Sequence, residues 1–114
     1  MDEQAQIYRD LGQALFEMID PSFHHDWDEV LLDAAQNEIS GREVHSLRAT
    51  LALRDGGKLP LAASAPVAEL VRKLDLVARK YLQGRTWKAL SYRLYHGPSG
   101  PAYNCDYTYT ENVH

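Results

Sequence analysis

Residues 46–61, SLRATLALRDGGKLPL, decide the fold class. Leu47, Ala49, Leu51 and Leu53 alternate with Ser46, Arg48, Thr50, Ala52 and Arg54, the period of a strand that buries one face. Asp55-Gly56-Gly57 then supplies the positive-φ positions of a tight hairpin, and Lys58-Leu59-Pro60-Leu61 reads as the returning strand. Pro60 cannot donate to a ladder, so that strand is expected to be short or at a sheet edge.

Upstream, Ser40-Gly41 is a turn pair, and Trp27 to Ala35, with Val30, Leu31 and Leu32, reads as a short strand. Before it, Ile7, Leu11, Ala14, Leu15, Met18 and Ile19 fall on one face of a helix that Pro21 ends. Downstream, Ser64 is a good N-cap, Pro66 suits a first turn and Glu69 complements the helix dipole. The helix that follows has an apolar stripe of Val67, Leu70, Val71, Leu74, Val77, Ala78 and Tyr81, and Gly84 fits its C′ position. A second hairpin closes the pattern. Leu90, Tyr92 and Leu94 alternate with Ala89, Ser91, Arg93 and Tyr95, residues 96–101 (HGPSGP) turn the chain, and Tyr103, Cys105, Tyr107 and Tyr109 return on one face. The order α-β-β-β-α-β-β therefore predicts an α+β fold, with two helices packed on one face of a largely antiparallel five-stranded sheet.

The 114 residues suit a single domain, 1–114, and 45% hydrophobic with 25% charged residues is the composition of a globular chain. No apolar run is long enough to span a membrane, and residues 1–4 (MDEQ) lack the basic start of a secretory signal. With one cysteine, Cys105, a cytoplasmic location is expected. Charge is unevenly spread. Residues 1–43 hold eleven Asp and Glu against Arg9 and Arg42, a net of −9, whereas residues 44–114 sum to +5. The acidic segment would repel phosphate backbones, so direct nucleic-acid binding is not expected there, and it would steer a basic protein partner.

No group of residues reads as a catalytic set. Residues 24–29 (HHDWDE) contain metal-ligand types, yet adjacent histidines of an extended chain point apart and no second pair completes a tetrahedral site. Cys105 beside Asp106, with His96 upstream, invites a thiol-nucleophile reading, but a small thiol packed among Tyr103, Tyr107 and Tyr109 is preferred. No Gly-rich loop joins a strand to a helix, and no cofactor is expected. The acidic residues Asp20, Asp26, Asp28, Glu29, Asp33 and Glu38, with Trp27 as an aromatic anchor, are the candidate partner-docking set. Trp87 and Leu90 are expected in the core.

With its N-terminal helix ending at Ile19-Asp20-Pro21, Trp27 leading into Val30-Leu31-Leu32, the stretch 85–90 (RTWKAL) opening a hairpin, and the terminal strand 103–107 (YNCDY), the chain resembles the YezG-like family of bacterial immunity proteins and antitoxins. The resemblance implies a non-enzymatic protein, monomer or homodimer, that neutralises a cognate toxin, often a nuclease, by stoichiometric binding. A basic nuclease cleft would match the acidic segment. The competing reading is a small acidic secretion chaperone, a class that usually carries one more C-terminal helix; after Tyr109 only residues 110–114 (TENVH) remain in this sequence.

Overall fold

The computed structural model describes residues 3–81 and 87–109. Helix α1 (Glu3–Glu17) precedes a single 3-10 turn at Pro21–Phe23; then come β1 (Trp27–Ile39), β2 (Arg42–Leu53), β3 (Lys58–Leu61), α2 (Ala65–Tyr81), β4 (Trp87–Gly97) and β5 (Gly100–Tyr109). The strands form one sheet in the order β3-β2-β1-β4-β5, with antiparallel neighbours throughout. The fold class and element order match the sequence pattern. The four-residue β3 lies at an edge, as the missing donor of Pro60 requires.

Local chemistry sets the boundaries. Beyond Glu17, Met18 N–H donates to Leu15 O (3.1 Å) and Ile19 N–H to Phe16 O (3.0 Å), a tightened i→i−3 turn before Pro21. Ser64 caps α2, its Oγ accepting from Val67 N–H at 3.4 Å. The Gly84 cap position and residues 85–86 lie outside the described residues. Strand β1 is longer than the expected Trp27 to Ala35. The Ser40-Gly41 turn has φ of 53° and 78°, both left-handed, so the β1–β2 ladder closes on the pair Ile39↔Arg42 and draws residues 36–39 into the strand. Gln36 is thereby carried under α2, where its Nε2 donates to Asp75 Oδ1 at 2.7 Å.

One core lies between the sheet and both helices. Val30, Leu32 and Ala34 of β1 stand opposite Leu51, Ala49 and Leu47 of β2 and Leu94, Tyr92 and Leu90 of β4. Together with Ile7, Leu11 and Leu15 of α1 and Val67, Val71, Leu74 and Val77 of α2 they form a single apolar cluster. Tyr92 is fully buried and donates its hydroxyl to Tyr8 O at 2.7 Å. Gly12 makes room for it, because a Cβ there would stand 2.8 Å from the phenol oxygen.

Two irregularities depart from simple alternation. The register shifts between Trp27 and Glu29 in the β1–β2 pair, and between Trp87 and Ala89 in the β4–β5 pair. Each bulge inserts one residue, so Trp27 and Trp87 turn to the helix-covered face although they are out of step with Val30 and Leu90. Trp87 and Leu90 are in the core, as expected. Trp27 is there too, 2% exposed, and this corrects its reading as a docking anchor. Its ring packs 3.8 Å from that of His96 and edge-on to Phe16.

Candidate functional site

The helices cover one face of the sheet; the other is the candidate site. On that outer face the registers align residues of four strands in rows. Thr50, Leu31, Arg93 and Asn104 form one row, Arg48, Asp33, Ser91 and Asp106 the next, and Ser46, Ala35, Ala89 and Thr108 a third. The last two rows bound a shallow groove whose floor is the small side chains of Ala35, Ala89 and Ser91. Alternation in the sequence places Ser46, Arg48, Thr50, Ala89, Ser91 and Arg93 opposite the apolar face of their strands. The strand order, which seats β1 between β2 and β4, makes them neighbours.

The seven candidate docking residues are distributed over more than one surface. Asp20, exposed before the 3-10 turn, accepts from Ser22 N–H at 2.9 Å and from Ser22 Oγ at 2.8 Å. Those bonds, the backbone one foremost, hold its carboxyl below the ordinary aspartate range. Asp26 is exposed, and its carbonyl accepts from Arg54 N–H at 2.8 Å, tying the α1–β1 loop to the β2–β3 turn. Asp28 is the exposed bulge residue. Glu29 and Asp33 lie on the outer face, where Glu29 forms an ion pair with Arg93 and the Arg93 guanidinium sits 4.5 Å over the Tyr95 ring. The Glu38 side chain lies outside what is described, but its backbone pairs with Glu43 near the far end of β1. At 3.3 Å per residue Asp28 and Glu38 stand about 33 Å apart, too far for one compact patch.

The −9 segment is therefore not one acidic face. Glu3, Asp10 and Glu17 are exposed on α1, the loop carries Asp20 and Asp26, and the outer sheet face mixes Glu29, Asp33 and Asp106 with Arg48 and Arg93. The contiguous part of the set runs from Asp26 through Asp28 and Glu29 to Asp33.

Neither chemical alternative gains geometry. His24 stacks on Phe16 at 4.9 Å and its Nε2 donates to Ile19 O at 3.2 Å, and no group of three or more His, Cys, Asp or Glu able to hold a metal occurs among the described residues. Cys105 lies half-buried on the helix-covered side of β5, across from Tyr92, and burial pushes its thiol above the ordinary range, which disfavours the thiolate a nucleophile requires. His96 is four residues further along β4 from Tyr92 and donates to Trp27 O at 2.9 Å instead. Tyr103 and Tyr107 share the Cys105 face, as expected; the Tyr109 side chain lies outside the described residues. Among the described residues no helix is long and apolar enough to cross a membrane. In comparison with known proteins, the chain matches no protein-family model and no curated sequence.

Proposed function

We infer that this chain is an immunity protein, or antitoxin, that neutralises a cognate bacterial toxin, a nuclease with a basic cleft, by stoichiometric protein–protein association. The observation that carries the reading is an outer sheet face over which no described element packs, joined along β1 to the exposed carboxylates of Asp26, Asp28 and Asp33, with the half-buried Glu29 paired to Arg93 between them. A rigid sheet is a preorganised docking platform, and little ordering cost attends binding to it. The carboxylates supply long-range attraction for a cationic partner, while Leu31 and Tyr95, half-buried on the same face, offer the apolar contact that Trp27 cannot.

The test is co-purification and titration of the full chain with the toxic polypeptide encoded beside its gene. A one-to-one complex lacking nuclease activity is expected. The variant Asp26→Asn/Asp28→Asn/Asp33→Asn should associate at least tenfold more slowly at low salt, with the difference shrinking as salt rises. Cys105→Ser should protect as well as the parent. Unchanged association by the folded triple variant would move the docking surface elsewhere, and absence of any complex would overturn the immunity reading.

A further inference from the structure

The groove between α1 and α2, on the opposite side of the molecule from the outer sheet face, has two banks of opposite charge. Glu3 and Asp10 stand on the α1 bank with Ile7 at its foot, and Lys73 and Lys80 stand on the α2 bank around Leu76. In both banks the charges are seven residues apart, two helical turns, so the spacings match. The four charged residues are exposed, and no ion pair joins one bank to the other among the described residues. Leu76 is 53% exposed, more than any other large apolar side chain described.

We propose that this groove is a self-complementary docking surface for a second copy of the chain, paired face to face about a two-fold axis running along the groove. That axis exchanges left and right, so each acidic α1 bank lies over the partner's basic α2 bank, and each Leu76 enters the partner's groove. An axis across the groove would instead set acid on acid and base on base, so the charges select one of the two pairings. An apolar side chain left half in water gains burial in the same step. The inference is independent of the immunity reading, which uses the other face, and two copies so paired leave both outer sheet faces accessible.

The experiment is sedimentation equilibrium of the full chain, with folding of each variant checked by circular dichroism. The parent should form a dimer whose dissociation constant rises at least tenfold between low and high salt. Leu76→Asp should be monomeric. So should Lys73→Glu/Lys80→Glu, whose banks are both acidic, and Glu3→Lys/Asp10→Lys, whose banks are both basic. Mixing those two charge variants should restore a dimer containing one of each. A parent that stays monomeric up to about 1 mM overturns the proposal. So does a dimer indifferent to Leu76→Asp and to both charge reversals, which would place self-association at another surface such as the β5 edge.

Discussion

Trp27 and Trp87 occupy equivalent places, the first residue of a long central strand followed by a one-residue bulge, and both indoles end in the core. Their surroundings differ. Trp27 belongs to the α1 half, wedged between Phe16 and His96 in apolar and aromatic company. Trp87 belongs to the α2 half, stacked 5.3 Å from His45, whose Nε2 lies 3.9 Å from the buried Asp75 of α2. The Trp87 Nε1 is buried with no hydrogen-bond partner among the described residues. The same backbone device thus delivers one ring to an aromatic pocket and the other to a site where its buried N–H has no partner among the described residues, a cost that packing of the ring offsets.

The largest expected effect is truncation. Trp87→Ala, at 0% exposure, should cost about 3–5 kcal/mol in a urea titration, and Trp27→Ala an amount in the lower part of that range. If Trp27→Ala left the urea midpoint unchanged, the two rings would not be equivalent core members.

Replacement by phenylalanine sharpens the contrast. It removes a ring and an N–H together, and at Trp87 the lost N–H has no partner among the described residues. Trp87→Phe should therefore cost well under the 3–5 kcal/mol of Trp87→Ala, about 1–2 kcal/mol, because no hydrogen bond to a described residue is lost with the N–H. A Trp87→Phe variant as unstable as Trp87→Ala would show that the indole N–H is bonded after all.

The smallest effect separates the halves by pH. Burial, before any other cause, raises the Tyr92 and Tyr107 phenols above the ordinary tyrosine range, and a short hydrogen bond between Tyr8 and Tyr107 adds to the latter. Both rings face α1. Below about pH 10 the folded and unfolded states hold these protons alike and stability is full. Above it the unfolded chain releases protons that the fold retains, so stability falls as pH rises. Hydrogen exchange between pH 8 and 11, corrected for intrinsic base catalysis, should show α1 losing protection before α2. Loss of α2 first would place the alkali-sensitive contacts in the wrong half.

The paired tryptophans also show where sequence reading stops. Trp87 was legible as a core residue because it follows Gly84 and opens a hairpin, whereas Trp27, amid His25, Asp26, Asp28 and Glu29, reads as a surface residue. Polar neighbours mislead here because three of the four are exposed and Glu29 is half-exposed around a single inward turn made by the bulge. The acidic segment misled similarly. Charge summed along 43 residues does not reveal that a helix, a loop and a 13-residue strand point its carboxylates in different directions.

What the sequence alone determined is local: the alternation at 47–53 and 90–94, the turn residues at 40–41 and 55–57, the Ser64 cap and the restriction at Pro60, each set by the dihedral and hydrogen-bonding habits of a few adjacent residues. Tertiary structure alone decided the rest. It set β1 between β2 and β4, aligned Arg48, Asp33, Ser91 and Asp106 across four strands, turned Trp27 inward and brought the Glu3–Asp10 bank beside Lys73 and Lys80. These are relations between residues far apart in the chain. Burying both helices against a single sheet face fixes them, because this strand order and register bring the inward apolar side chains of β1, β2 and β4 and of both helices into the same core.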